Sequence, residues 1–243
     1  MRKIVIPIVV ASILAFSFVM VANILSGTAI TIKNKGFVNV KGFAKQEITS
    51  DLAIFEARIE AEDPVLKECY ARLAQDKKKM EEFLTKKHNI STEEIEVEPA
   101  TIREVYKINE RGFATDEFVK FNLKQNFKVE SSDVEGIANL SSVMVDILDE
   151  DVRVSIADPE YVYTKLDDLK VEMIGRATDN ARQRAKVIAE KGKFKLGPIA
   201  SVRVGIFQIT PVHSTRVSGY GINDTSSIDK EIKSVVEIRY FVK

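Results

Sequence analysis

Residues 166–191, LDDLKVEMIGRATDNARQRAKVIAEK, form the most regular segment of the chain. Apolar residues recur there every three or four positions, which is the spacing of one face of an α-helix. The members of this face are Leu166, Leu169, Met173, Ile174, Ala177, Ala181, Ala185, Ile188 and Ala189. Gly192 follows at the position where a helix usually ends. We predict a long helix whose packing face, Ala177, Ala181, Ala185 and Ala189, is small enough for a sheet or another helix to approach closely.

Strand patterns surround this helix on both sides. Alternation of apolar and polar residues predicts strands over residues 36–44, 48–61, 95–106, 117–129, 152–156, 199–209 and 235–242. In the second of these strands, one face carries Ala53, Phe55, Ala57, Ile59 and Ala61 and is predicted to be buried. Pro99 demotes part of the third strand to an edge or a bulge, and residues 109–116, around Gly112, predict a hairpin-like turn. Two further helices are predicted, one after Asp63-Pro64 and one after the capping-box sequence Ser132-Asp133-Val134-Glu135. This order of elements favours an α+β fold, with antiparallel or mixed sheets packed against three main helices.

The N-terminal segment has a different character from the rest of the chain. From Ile4 to Leu25 there is no charged residue, and Arg2 and Lys3 precede this run. As a helix it would be about 33 Å long, close to the hydrocarbon thickness of a bilayer. We therefore predict a single-pass transmembrane helix within residues 1–30. The anchor residues are Ile4, Pro7, Phe16, Phe18 and Leu25.

A cleaved secretory signal is the alternative, with Gly27-Thr28-Ala29 as the candidate cleavage site. The apolar run is longer than that of an ordinary signal, which favours an uncleaved anchor. Basic residues flank the run on both sides, so the charge bias that orients a membrane helix is nearly balanced. The very short N-terminal tail favours a cytoplasmic N-terminus and an exported body.

Residues 31–243 are enough for one sizeable hydrophobic core or two small lobes, and we predict one soluble, folded domain. Over the whole chain, Lys and Arg together equal Asp and Glu, at 36 each, so there is no overall attraction to nucleic acid. Cys69 is the one cysteine, which excludes an intramolecular disulfide, and its helical context predicts burial. We predict no nucleic-acid partner.

Residues 210–230 form a long connector without a regular period, rich in Ser, Gly and Thr. Loops of this length in compact domains are usually mobile or functional, and both readings stay open. If the loop recognises a partner, the candidate contact residues are His213, Arg216, Tyr220 and Ile222.

The residues that enzymes and metal sites need are scarce. Only His88 and His213 could serve as a histidine base, and no serine lies in a nucleophile-elbow sequence. Histidines and cysteines are not clustered as metal ligands would be. We predict no catalytic residues, no metal and no cofactor, and the sequence identifies no small-molecule substrate.

Several packing motifs together resemble the SIMPL domain family, named for a signalling molecule that associates with a mouse pelle-like kinase. The motifs are Val40-x-Gly42, a strand containing Asp51, Asn89-Ile90 with Ile95, the alanines from Ala177 to Ala189 before Gly192, Leu196-Gly197-x-Ile199, and Ile228 before a last strand near Tyr240. Asn89 stands where the family usually has glycine. The resemblance implies an exported, non-enzymatic bacterial protein that is often linked to envelope or oxidative stress and sometimes oligomeric.

Two hypotheses for function follow, and an enzyme with His213 and Ser214 as its site is a third that no catalytic motif supports. In the first, the protein is held in the bacterial inner membrane by its N-terminal helix, and its periplasmic domain self-assembles into an envelope scaffold or ring. In the second, a monomeric exported module captures a partner through residues 210–230. A soluble periplasmic form, produced by cleavage of the N-terminal segment, is the alternative localisation.

Overall fold

The computed structural model describes residues 15–23 and 36–243. Residues 15–23 are helical, and no helix within the described residues is long and apolar enough to cross a membrane. Phe16 and Phe18 lie in this helix with 73% and 77% of their surface exposed. Ile4, Pro7 and Leu25 lie outside the described residues. The transmembrane anchor stays a prediction.

Residues 36–243 have an α+β fold, as predicted. The strands are β1 (Phe37–Thr49), β2 (Leu52–Asp63), β3 (Ile95–Val97), β4 (Thr101–Ile108), β5 (Ala114–Ser131), β6 (Val154–Ile156), β7 (Glu160–Val162), β8 (Leu196–Val204), β9 (Gln208–Pro211), β10 (Ile222–Asn223) and β11 (Asp229–Val242). The α-helices are α1 (Leu66–Glu82), α2 (Val134–Val143) and α3 (Leu166–Gly192). A π-helical turn (Phe83–Lys87) and two 3₁₀ helices (Thr92–Glu94 and Met144–Glu150) complete the elements.

The strands form two sheets. One has the order β1-β11-β9-β10, with β8 also paired to β11; the other has the order β3-β5-β2-β6, with β4 on β5 and β7 on β2. The β9–β10 pair is parallel, and the pairs of the second sheet are antiparallel. The chain divides into two compact units: unit 1 takes the described residues up to Ala44 with Val171–Ile206 and Ser234–Lys243, and unit 2 takes Lys45–Lys170 and Phe207–Lys233.

Unit 2 is built on the long antiparallel pair of β2 and β5, in which Ala57 lies opposite Phe127. The predicted inward face of β2 is buried: Ala53, Phe55, Ala57, Ile59 and Ala61 are at most 4% exposed. Helices α1 and α2 contribute Leu73, Met80, Ile137 and Leu140 to the same core. Cys69 is also buried, as predicted, and its thiol donates to the carbonyl oxygen of Ala61 at 3.3 Å.

Three predicted strands are interrupted by local structure. The prediction of one strand over residues 48–61 was wrong at Ser50 and Asp51, where the chain turns. The carboxylate of Asp51 accepts the amide and hydroxyl of Thr164 at 2.7 and 2.9 Å, which holds this turn. Pro99 lies in the break between β3 and β4, since proline cannot donate to a ladder. The predicted strand over residues 199–209 likewise separates into β8 and β9.

The structure also shows how the helices begin and end. The N-cap of α2 is Asp133, whose carboxylate accepts the Gly136 amide at 3.0 Å, so the predicted capping box does not form there. A capping box does form between Ser91 and Glu94. Asn89 has a φ of 56°, a conformation that glycine and asparagine adopt most readily. Asparagine therefore fits this position, where the resemblance led us to expect glycine.

In unit 1, helix α3 packs against strand β1. Ala177, Ala181 and Ala185 are fully buried, and Ala189 is 6% exposed. Gly42 of β1 lies so close to this face that a Cβ at residue 42 would sit 2.5 Å from the amide nitrogen of Ala181. The alanines and the glycine are therefore two halves of one contact, in which a helix backbone approaches a strand backbone.

The solvent-facing side of β2 and β5 carries a network of charges centred on Glu62. Its carboxylate lies 2.7 Å from both the Lys120 ammonium and the Arg153 guanidinium, and the Asn122 amide donates to it at 3.0 Å. The hydrogen bonds from Lys120, Arg153 and Asn122 lower the pKa of Glu62 from 4.5 to about 2. Ionised Glu62 therefore stabilises the fold.

This network predicts a specific pH dependence. Because the pKa of Glu62 is lower in the folded state, its stabilisation is complete above pH 4.5 and is lost as the pH falls towards about 2. Allowing for its partial exposure, we expect the contribution to be about 1–2 kcal/mol. In urea unfolding, the free energy of unfolding of Glu62→Gln should fall less than that of the parent over this pH range. The control is Glu117→Gln, which removes an exposed pair with Lys107. If this variant reduced the pH dependence of the free energy of unfolding as much as Glu62→Gln does, Glu62 would not be its source.

Candidate functional site

Residues 210–230, the predicted interaction loop, have more internal structure than their composition indicated. The segment begins at the end of β9, makes a turn at His213 with a φ of 65°, and returns to form β10 beside β9. The amide of Ser214 donates to the carbonyl oxygen of Pro211 at 3.1 Å. The loop is therefore a turn followed by a short parallel strand.

Side chains from the sheet hold the base of this loop. The Gln208 side chain donates to the Ser218 carbonyl oxygen at 2.9 Å and accepts the Ser218 amide at 3.1 Å. The Lys233 ammonium donates to the Ser214 carbonyl oxygen at 2.6 Å and lies 3.1 Å from the buried carboxylate of Glu231. These contacts fix both ends of residues 214–218.

The predicted contact residues of the loop differ in exposure. Tyr220 has 99% of its surface exposed, and the neighbouring Val217 has 77% exposed. His213 and Arg216 are also exposed, whereas Ile222 is half-buried in β10. Gly221 has a φ of 90°, and its amide donates to the Ser218 carbonyl oxygen at 3.2 Å. The loop thus presents an aromatic side chain on a short, pinned turn.

A small cavity lies behind the C-terminal part of the same loop, within unit 2. It has a volume of about 60 Å³. It is lined by Ile48, Tyr161, Val162, Tyr163, Leu166, Ile209, Asn223, Asp224, Thr225 and Lys230. Lys230 is 2% exposed, and its ammonium donates to the carbonyl oxygen of Tyr161. A buried ammonium in a mostly apolar wall is the unusual feature of this cavity.

The carboxylate of Asp224 is the other charged group of the cavity. Its Oδ1 accepts the Ser226 amide at 3.1 Å and the Ser226 hydroxyl at 2.7 Å. Its Oδ2 is buried and has no hydrogen-bond partner within the described part of the chain. Burial favours protonation of this carboxyl, but the hydrogen bonds that it accepts from Ser226 outweigh burial and lower the pKa of Asp224. Burial lowers the pKa of Lys230, and Asp224 partly offsets this effect.

In unit 1, the outer strands β1 and β8 differ in whether the backbone groups on their free edges are hydrogen-bonded. On β1, the Asn180 side chain of α3 accepts the Phe43 amide at 3.1 Å, and Arg184 donates to the Lys41 carbonyl oxygen at 3.0 Å. On β8, no hydrogen bond to the outer edge is found within residues 36–243, where β11 is its one partner strand. Unpaired edges of this kind pair readily with another strand.

Strand β8 also carries exposed apolar side chains. Ile199, Val202 and Val204 are 47%, 51% and 44% exposed. They lie opposite Tyr240, Ile238 and Val236 of β11, so they are on the same sheet face as these buried side chains. The sequence reading predicted a strand here, but alternation alone does not reveal whether a strand lies at the edge or the centre of a sheet.

A second exposed apolar surface lies in unit 2, on the hairpin of β4 and β5. Tyr106 and Phe118 are in edge-to-face contact, with ring centroids 6.1 Å apart, and Phe118 lies 4.9 Å from Phe121. Beyond them, Ile108 and Phe113 are 67% and 68% exposed near the hairpin turn. The sequence predicted the turn around Gly112 but not that the apolar side chains on both strands would be left uncovered.

His213 and Ser214, the residues considered for catalysis, make no hydrogen bond to each other in the described part of the chain, and the Ser214 hydroxyl accepts the Arg216 amide at 3.3 Å. Ser214 uses its amide and carbonyl in the loop turn, and His213 is exposed at the same turn. Within the described residues there is no group of three or more His, Cys, Asp or Glu that could hold a metal ion. The Lys230 and Asp224 pair was missed because its two members are ordinary charged residues until the fold buries them.

Comparison with known proteins adds one finding. The model of a family described as SIMPL, a protein of unknown function, matches residues 38–238. The match covers most of the chain and includes Gly42, the alanine face of α3 and strand β8. No curated protein matches the chain.

Proposed function

The chain belongs to the SIMPL family of proteins of unknown function, and from this premise we propose that it is a membrane-anchored, extracytoplasmic, non-enzymatic protein that self-assembles as an envelope scaffold or ring. The proposal includes a link to the stress response of the cell envelope, which the family resemblance implies. Its partners are the bacterial inner membrane and further copies of the same chain.

The open edge of β8 is the observation that carries the self-assembly part of the proposal. Asn180 and Arg184 occupy backbone groups on the free edge of β1, whereas nothing in the described part of the chain does so on β8. A second copy can supply an antiparallel strand of the same sequence. One antiparallel register places Ile199 of one copy beside Val202 of the other, which buries both exposed side chains. Symmetric pairing of one edge with itself is the common geometry of homodimers, and it can link further copies when a second surface joins in.

Charge does not oppose this pairing. Arg203 is the one charged residue of β8, and it lies opposite Glu237 on β11 within the same chain. In the register that joins Ile199 to Val202, Arg203 lies beside Pro198 of the second copy, so the two arginines are not brought together. Like charges directly opposite each other would destabilise such a pair.

Particle images of the full chain in detergent test the assembly. We expect discrete particles with closed symmetry, because closed point-group symmetry is the usual form of homo-oligomers. A field of monomer-sized particles at all concentrations would contradict the scaffold or ring.

The membrane part of the proposal rests on the uncharged run from Ile4 to Leu25. A periplasm-specific reporter fused after Lys243 should be active, and the chain should remain in the membrane fraction after a carbonate wash. An active cytosolic reporter would contradict export. Mass spectrometry showing an N-terminus at or after Ile30 would instead support the soluble periplasmic alternative.

The exposed Tyr220 supports a second candidate function, a binding module that captures a partner through residues 210–230. The ring of Tyr220 is 99% exposed, and a tyrosine side chain has only two χ angles to order on binding. Because hydrogen bonds already pin the turn that carries it, binding needs little further ordering of the backbone. Tyr220→Ala should leave the free energy of unfolding within about 0.5 kcal/mol of the parent, as is usual for exposed positions. In cross-linking from envelope fractions it should lose its captured partner, whereas the loop control Thr215→Ala should keep it. Equal capture by both variants would remove this candidate.

A further inference from the structure

The cavity between β7, β9 and the loop around β10 holds two charged groups whose hydrogen-bonding capacity is incompletely used. An ammonium group has three N–H donors. One donor of Lys230 goes to the Tyr161 carbonyl oxygen, and the described residues provide no other hydrogen-bond acceptor for it. Asp224 Oδ2 is buried without a donor. Buried polar groups in folded proteins are rarely left in this state, so a molecule is expected between them.

The charges of the cavity restrict what that molecule can be. A simple anion that binds Lys230 would be repelled by Asp224, and a simple cation that binds Asp224 would be repelled by Lys230. A molecule with one positive and one negative end satisfies both groups at once. Its carboxylate would accept from Lys230, and its ammonium would donate to Asp224 Oδ2.

The volume and lining of the cavity also restrict the size and shape of the ligand. A cavity of about 60 Å³ has room for about four water molecules, and therefore for a ligand of about five non-hydrogen atoms. Ile48, Leu166 and Ile209 give it an apolar wall that suits a short carbon linker. Tyr163 and Thr225 are half-buried and Asn223 is exposed, so these three residues form a rim through which a small molecule can enter.

We propose that this cavity is a binding site for a small zwitterion, an ammonium and a carboxylate joined by one or two carbon atoms, held between Lys230 and Asp224. The site is independent of the β8 edge, because its lining residues all belong to unit 2. It gives the chain a small-molecule ligand that the sequence reading did not identify.

Calorimetric titration of the full chain in detergent tests this proposal. The probes are glycine and β-alanine, with acetate and methylammonium as single-charge controls at the same concentrations. We expect heat of binding for at least one zwitterion and none for the single ions. Asp224→Asn, which keeps the shape of the side chain, should weaken binding at least tenfold. Lys230→Met should do the same if its circular dichroism matches that of the parent.

The matched control is Asp229→Asn, which changes an exposed carboxylate one residue before Lys230 and outside the cavity. It should bind the zwitterion like the parent. The proposal is overturned if glycine and β-alanine bind no better than acetate and methylammonium. It is also overturned if Asp224→Asn and Asp229→Asn bind equally, or if crystals soaked with the zwitterions contain only water in the cavity.

Discussion

Replacing Gly42 with alanine is expected to lower the melting temperature of the full chain in detergent by about 6–12 °C. The added Cβ would overlap the Ala177 carbonyl oxygen, and it would lie 2.5 Å and 2.7 Å from the amide nitrogen and Cβ of Ala181. These neighbours are helix backbone and a short side chain, so relief requires α3 to move away from β1. Forcing extra volume into a packed core costs about 3 kcal/mol at the upper end of the usual range, and each kcal/mol corresponds to about 2–4 °C at this chain length.

Gly175 provides the matched control on the same helix. A Cβ at this position meets nothing within 4 Å, and the residue is exposed on α3. Gly175→Ala should therefore raise stability by about 0.8–1.0 kcal/mol, because alanine is the better helix former. Thermal unfolding followed by circular dichroism measures both variants. A Gly42→Ala variant as stable as the parent would show that α3 does not pack on β1 at this distance.

Replacing Val202 with lysine is expected to raise the dissociation constant of the assembly at least tenfold. Val202 is 51% exposed on the open edge of β8, so the monomer itself should change in stability by no more than about 0.5 kcal/mol. In a symmetric pair of β8 strands, each new ammonium would be buried beside apolar side chains. Lysine on an edge strand is a common natural device against edge-to-edge pairing. Tenfold corresponds to about 1.4 kcal/mol, a modest demand for one misplaced charge.

Val187→Lys is the control for this prediction, because Val187 is 50% exposed but lies on α3 rather than on the edge strand. Sedimentation velocity in detergent should show dissociation for Val202→Lys alone. If both variants assemble like the parent, β8 is not the interface. If both dissociate, the interface includes the outer surface of α3.

Much of the fold could be predicted, because the periodicity of apolar residues indicates which side chains are buried. The spacing of apolar residues predicted the inward face of β2 and the alanine face of α3, and the burial of Cys69 was also predicted correctly. The break at Pro99 follows from proline itself, which cannot donate to a ladder. The strand break at Asp51 was harder to predict, because it depends on a tertiary contact. Asp51 turns the chain by binding Thr164, which is more than a hundred residues away.

The candidate sites were harder to predict from the sequence, because they also depend on tertiary structure. Whether a strand is at an edge, as β8 is, depends on which partners the topology supplies. Lys230 and Asp224 are charged residues in a segment whose composition predicts a loop, and only the fold buries them together. By contrast, Tyr220 was named from sequence as part of an interaction loop, and the structure places its ring in solvent; its role in binding stays a prediction.

The mass of the full chain in detergent, measured by light scattering over a range of protein concentrations, tests the central claim most directly. Self-assembly predicts a protein mass that is a whole-number multiple of 27.3 kDa and that falls towards 27.3 kDa for Val202→Lys. A protein mass of 27.3 kDa at every concentration of the parent chain would contradict it.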